Sequence, residues 1–442
     1  MHGVIAPDDR PIEPAASPPA KPHRRFLSPK ARRRIRRALL GLAIVFPIVL
    51  GGTWYAANNV PWFGAWLADA LRSVIGTEGV ADLEEFAYGV EDRWNRFWRE
   101  GEKPKAYWES PSGAPSASSA QTASSSVATA EPGPSAAPSA STSAAASPGP
   151  AAPFRPKDAG PFDPKYAAAG DGVWVPVPLA DSPAEAPLLY KTLIHPDSKR
   201  PWAEVFAVAI DLRRTQLHAV AGTREPKGTA PGAREAQRPG VIPAADLPDL
   251  IAGFNGGFKE EHGHYGMKVG GVLLIKPRPD ACTIGMTEGG ELRIGSWKAV
   301  QDVESTFKWW RQTPACLVEN GKLHPALYDE NTNWGAALGG GTVVRRSALG
   351  LDAEGKTAFM AVSNHTSPRA MAVAMAHLGA VSAAQLDINY SYPRFVLFPK
   401  GEETQRDAVS LFEGFKVERE DYVREPSVRD FFYLVRRAPP GN

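Results

Sequence analysis

Three short constellations in the C-terminal half hold the side chains best suited to acid–base and anion chemistry. They are Phe254-Asn255-Gly256-Gly257-Phe258, Arg345-Arg346-Ser347-Ala348-Leu349-Gly350 and Leu386-Asp387-Ile388-Asn389-Tyr390-Ser391. Two glycines after Asn255 let backbone N–H groups approach an anionic ligand while the turn presents the Asn side chain. An ordinary tight turn between strands is the commoner meaning of Asn-Gly-Gly alone. Arg346 points away from Arg345 on a strand and can offer a bidentate fork to a phosphate. A lone strand arginine is more often a solvated surface charge. Asp387 closes an apolar strand fed by a helix, a common way to hold a carboxylate at a sheet edge. His365, just after a strand and before a helix cap, is an acid–base candidate where loops converge. The run Glu260-Glu261-His262-Gly263-His264 can bind a metal or supply an acid–base pair, although a solvated loop is its usual meaning. The spacing specifies neither a metal nor a cofactor.

These residues need a sheet to carry them. EVFAVAIDL (204–212) is an apolar run of strand length and predicts a buried strand. Gly270-Gly271, Gly289-Gly290 and Asn320-Gly321 each separate two strand-like runs and predict hairpins, because such dipeptides permit positive φ at both turn positions. TVVRRSALGLD (342–352) and KTAFMAVSN (356–364) flank Glu354-Gly355 as two further strands. Ser367 as N-cap, Pro368 as first helical residue and Gly379 just past Leu378 bracket a helix with Met371, Met375 and Leu378 on one face. The strand AVSAAQLD (380–387) follows. The expected fold class is α+β: mixed, strand-rich sheets with a few packed helices.

In order and setting, the three constellations resemble the phosphodiester glycosidase family. There a strand ends in Asn-Gly-Gly-Phe, a later strand carries Arg-Thr-Ala-x-Gly, and a helix–strand unit ends in Leu-Asp-Gly-Gly-Gly-Ser. The similarity runs over roughly residues 200–400. It implies hydrolysis of a sugar-1-phosphodiester, in which positive charge gathers at the anomeric carbon while the departing phosphate stays anionic. On that reading Asp387 is nucleophile or base and Arg346 sits on the phosphate, with His365 a further catalytic candidate. Asn255, Gly256, Gly257, Ser347 and Ser391 bind substrate. Two departures stand out. Ile388-Asn389-Tyr390 replaces three glycines, and β-branched or aromatic residues lack their range of backbone angles. Lys259 replaces a second Phe. A loop filled by Tyr390 and Tyr392 makes the alternative a catalytically inactive glycan- or partner-binding module.

The rest of the chain divides by composition. Residues 1–37 hold ten basic and three acidic residues; removing this +7 from the whole-chain +2 leaves −5, which disfavours a nucleic-acid partner. Residues 38–57 run about twenty positions without a charge, enough to span a bilayer core. Arg32, Arg33, Arg34, Arg36 and Arg37 precede them and hold the N-terminus in the cytoplasm. The expectation is a single-pass anchor with the C-terminal domain periplasmic or extracellular. Residues 58–110 read as a juxtamembrane helical segment; 62–100 suit the membrane surface, a protein partner or a self-packed hairpin. From 111 to 153 the chain is almost wholly Ala, Ser, Pro, Thr and Gly with no aromatic residue, predicting a disordered tether of roughly 35 Å reach. The globular domain is 154–442. Cys282 and Cys316 fit either a disulfide in an exported domain or two buried thiols.

Overall fold

A computed structural model describes residues 88–108, 153–179, 186–329, 334, 343–389, 391–400 and 406–437, with scattered positions from 45 to 75. The chain separates into two units, Met1–Leu67 and Ala68–Asn442. In the first, residues 45, 48, 49, 51–53, 55 and 56 are helical, and Val45, Ile48 and Val49 are exposed. Among the described residues no helix is long and apolar enough to cross a membrane. The basic tail, much of the 38–57 stretch, the Ala/Ser/Pro segment up to residue 152, and Tyr390 lie outside the described residues.

Among the described residues the second unit is built on three sheets whose strand pairs are antiparallel. The largest has the order β1 (Val175–Pro176), β2 (Leu189–Ile194), β3 (Val205–Asp211), β14 (Thr357–Thr366), β13 (Val344–Leu351), β15 (Ser382–Ile388), β11 (Val318–Glu319), β12 (Lys322–Leu323). A second runs β7 (Val272–Ile275), β6 (Met267–Val269), β10 (Phe307–Thr313), β8 (Cys282–Thr287), β9 (Leu292–Ser296). The third runs β17 (Val409–Ser410), β16 (Phe395–Leu397), β5 (Leu250–Asn255), β18 (Phe431–Arg436), β4 (Thr215–Val220).

Both faces of the large sheet are covered, which is why β3 is buried along its whole length. One face, with Phe206, Val208, Leu349, Met360 and Leu386, packs on Phe254, Ile284 and Phe432 of the smaller sheets. The other, with Ala207, Ala348, Ala361 and Ala383, packs on Met371, Ala374 and Met375 of the helix Pro368–His377 and on Trp334. Successive residues of a strand face opposite layers. Ser347 therefore looks toward β5 and Arg346 toward the helix.

Local chemistry explains the turns. Gly270 and Gly271 have φ of 58° and 76°, and Asn320 and Gly321 have 51° and 73°, closing the expected hairpins β6–β7 and β11–β12. Ser367 caps the helix by accepting the Ala370 N–H at 3.1 Å, with Pro368 following. Cys282 and Cys316 are disulfide-bonded, with Cα atoms 4.7 Å apart.

Residues 88–108 lie on the domain. Asp92 accepts both Nε and Nη2 of Arg200, at 2.6 and 2.7 Å. Tyr107 donates to Glu204 Oε1 at 2.8 Å, and its ring meets Phe206 edge-on. Lys191 Nζ lies 4.7 Å above the Trp108 ring. On the helix at 88–98, Trp94, Phe97 and Trp98 are 63–70% exposed. Phe154 packs on Tyr190 of the same unit, so both flanks of the Ala/Ser/Pro segment rest on one body. The stretch expected to be a tether, 111–153, lies outside the described residues except for Pro153.

Candidate functional site

β5 of the third sheet and β13 and β15 of the first end together, and their polar termini meet. Asn255 Nδ2 donates to Ser347 Oγ at 2.8 Å, and Ser347 Oγ donates to the Asp387 carbonyl at 3.0 Å. The Asp387 N–H reaches Gly256 O at 3.0 Å, and Asn255 Oδ1 accepts the Arg394 N–H at 3.2 Å. A bulge makes this junction. Arg346 pairs with Ile388 and Ala348 with Gln385, so Leu386 and Asp387 together oppose Ser347. The extra residue resets the alternation of facing. Leu386 stays in the core below, while the Asp387 carboxylate turns to the loop that enters β18.

There it meets a cation. Arg429 Nη2 lies 2.7 Å from Asp387 Oδ2 and 3.1 Å from Gly257 O. Ile388 N–H donates to Asp387 Oδ1 at 3.0 Å, and Asn389 Nδ2 to Oδ2 at 3.3 Å. Asp387 is only 3% exposed. Burial pushes its carboxyl up to about 6 and Asp430 adds to this, while Arg429 and the Ile388 N–H oppose it. The Arg429 guanidinium lies 4.7 Å under the Tyr392 ring, which closes the junction from outside.

The loop after Asp387 solves its missing glycines in an unexpected way. Asn389 takes φ 152°, a conformation glycine favours, and its Oδ1 accepts the N–H groups of Ser391 and Tyr392 at 2.8 and 2.9 Å. Asn thus supplies by side-chain hydrogen bonds what glycine supplies by lacking a side chain. Ser391 sits exposed on the rim of this turn.

The remaining candidates are placed elsewhere or occupied. Arg346 is fully buried on the helix side of the sheet, donating to Thr366 O, Trp334 O and Gln385 Oε1 at 3.1, 2.9 and 3.0 Å. Burial lowers its guanidinium to about 9. It binds core carbonyls, and the expected convergence of Arg346 with Asn255 and Asp387 does not occur, because alternation sends neighbouring residues to opposite layers. His365 lies among Arg99, Arg345 and Asp92, beside the docked 88–108 segment. Burial and the two arginines push its imidazole down to about 4. The amides of Gly256 and Gly257 are taken: the first by Asp430 O and the second by Asp430 Oδ2, both at 2.9 Å. Glu260 pairs with His264. Among the described residues no group of three His, Cys, Asp or Glu is arranged to hold a metal ion.

The Asn255, Ser347 and Asp387 junction falls within a stretch matched by one family model, described as phosphodiester glycosidase. Residues 249–387 match that family. The resemblance carried by the three motifs therefore holds over this stretch. No curated protein matches the chain. Among solved structures, the zebrafish N-acetylglucosamine-1-phosphodiester alpha-N-acetylglucosaminidase catalytic domain, auto-inhibited by its pro-peptide, is 17% identical with a TM-score of 0.37. That alignment covers 57% of this chain and 85% of the other. A hypothetical protein from Synechocystis is 13% identical, TM-score 0.31, over 53% of this chain and 59% of its own. A putative exported protein from Burkholderia pseudomallei is 12% identical, TM-score 0.26, over 53% and 74%.

Arg429, Asp430 and Arg311 escape the sequence reading. Arg429 and Asp430 lie beyond the phosphodiester-glycosidase match, and Arg311 sits inside a strand rich in Trp. The usable signal is Arg-Asp immediately before the apolar strand FFYLV, the same polar-residue-at-strand-end pattern that marks Asp387.

Proposed function

We propose that the C-terminal domain hydrolyses a sugar-1-phosphodiester, cleaving the bond from anomeric carbon to phosphate oxygen. The observation that supports this best is the single junction of Asn255, Ser347 and Asp387, with Arg429 seated on the Asp387 carboxylate. Asp387 is the carboxylate for the developing positive charge at C1, as nucleophile or base. Arg429 takes the phosphate role expected of Arg346, since its Nη2 already holds a carboxylate oxygen and its guanidinium can offer a second donor to a phosphate. Asn255, expected from the resemblance to bind substrate, instead orders the turn behind these groups, with its amide on Ser347 Oγ and Gly256 O. Phosphate departs readily, so the step makes little demand on a general acid. Substrate entry displaces Tyr392 from the Arg429 face.

The test is incubation with the methyl phosphodiester of N-acetylglucosamine 1-phosphate in water enriched in oxygen-18. The expected products are methyl phosphate and free sugar, with label on the sugar. Label on phosphate means P–O cleavage and refutes the mechanism. Asp387→Asn is expected to abolish turnover while the protein stays folded.

A second reading, a glycan-binding module without turnover, is favoured by Tyr392 over Arg429 and the near-complete burial of Asp387. Binding of the same phosphodiester by calorimetry without products supports it.

We further propose that residues 38–57 anchor the protein with its N-terminus in the cytoplasm, and that the domain acts on envelope or extracellular glycans. The five preceding arginines and the Cys282–Cys316 bond support export. The exposed Trp94, Phe97 and Trp98 side chains suit a membrane interface or a protein partner.

A further inference from the structure

The Asn255-Gly256-Gly257 turn already holds an anion, and it is internal. Asp430 accepts the Gly256 N–H on its carbonyl and the Gly257 N–H on Oδ2. The same Oδ2 receives Arg311 Nε at 2.9 Å. Arg311 is fully buried, with its other donors on the carbonyls of Tyr265, Phe258 and Gln312. A Cβ on Gly256 would stand 2.3 Å from Asp430 Oδ2, and one on Gly257 2.9 Å from the Arg311 guanidinium carbon. Both glycines are thus required by the Asp430–Arg311 pair rather than by open space for a substrate.

Asp430 is also the covalent neighbour of Arg429, whose Nη2 spans Asp387 and Gly257. Two buried atoms, Asp430 Oδ1 and Arg429 Nε, have no partner among the described residues. The groups facing the Asp387 carboxylate are Arg429 and Asp430 from the loop before β18 and Ile388 and Asn389 from its own chain, while Ser347 of β13 and Gly256, just past β5, hold its backbone. Tyr392 and Glu225 act on it through Arg429.

We propose that Asp430 is a positioning residue of the hydrolytic site, clamping the Asn255-Gly256-Gly257 turn and Arg429 against Asp387 so that Arg429 and Asp387 face substrate as one unit. The proposal rests on the hydrolytic reading. Asp430 acts in two ways. It removes both glycine amides from ligand binding, and with Asn255 committed to Ser347, Gly256 O and the Arg394 N–H this leaves Arg429 as the group for substrate oxygens. Its charge, close to Asp387, also favours the protonated carboxyl there.

The experiment uses the full-length protein with carbon-13 in its Asp side chains, titrated by NMR, alongside the pH profile of methyl phosphodiester hydrolysis. The Asp387 signal is assigned by its loss in Asp387→Asn. In Asp430→Asn, which keeps the shape and an acceptor for Gly257, the Asp387 midpoint and the acid limb of kcat/KM both move down by about one pH unit. The rate falls about 100-fold through the loosened turn. An unchanged Asp387 midpoint and acid limb, with stability alone reduced, overturns the proposal. If Asp430→Asn does not fold, the wild-type titration decides: the Asp430 carbon must respond at the Asp387 midpoint, and a silent Asp430 overturns the proposal. A wild type that never turns over ends the hydrolytic reading, while the titration still reports whether Asp430 controls Asp387.

Discussion

Replacing Gly256 by Ala tests how tightly the turn is held. Gly256 does not have a positive φ, so the cost comes from space and not from backbone conformation. The added Cβ would lie 2.3 Å from Asp430 Oδ2 and 2.5 Å from the Asp430 backbone oxygen. A flexible side chain could give way, but the second atom is main chain, already bound to the Gly256 N–H. The Asp430 carboxylate is pinned by Arg311 and Gly257. Relief therefore breaks a buried charge-assisted hydrogen bond, worth about 1.5–3 kcal/mol, on top of about 1–3 kcal/mol of overpacking. A loss of roughly 4 kcal/mol lowers the Tm by about 8 °C for a domain of this size. Gly289→Ala is the control, since its Cβ meets nothing closer than Thr287 Oγ1 at 3.7 Å. Differential scanning calorimetry at pH 7 on both variants is the assay. A Gly256→Ala protein melting within about 1 °C of wild type and of Gly289→Ala refutes the packing argument.

If Asp387 works ionised, kcat/KM rises with pH through about 6, and a flat profile from pH 5 to 8 counts against it. Its raised folded-state value also means that its contribution to stability is complete below the unfolded carboxyl value and is lost as pH rises through about 6. Asp387→Asn should flatten that part of the stability curve in urea titrations at pH 4.5 and 7. Arg346→Met takes the donor from buried Thr366 O and Gln385 Oε1, while Trp334 O keeps its bond from Gln385 Nε2, and should cost about 2–4 kcal/mol of stability; an effect confined to KM would place Arg346 on substrate instead. Asp92→Ala removes a partly exposed pair with Arg200, so hydrogen exchange across residues 88–108 should quicken about 5-fold. Unchanged exchange would mean that other contacts hold this segment.

Much of the fold was written in local chemistry. Hairpins at Gly270-Gly271 and Asn320-Gly321 and the helix between Ser367 and Gly379 depend on positive φ, a capping hydroxyl and a proline, each set by one or two residues. The apolar run of β3 likewise announced burial on both faces. Asn255, Ser347 and Asp387 were legible as motifs, because strand ends carrying polar residues are local features too. What sequence alone left open was facing and partnership. The bulge that brings Asp387 round to Arg429 depends on the β13–β15 register, and strand alternation commits Arg346 to the helix layer. Asp430 clasps Gly257 across 173 positions, and Asp92 holds Arg200 across 108, pairings that exist only once the sheets have stacked. Charges separated that far along the chain carry no mutual signature in its order. Their union was decided by tertiary packing, which excludes water around them and makes each buried polar group find a partner.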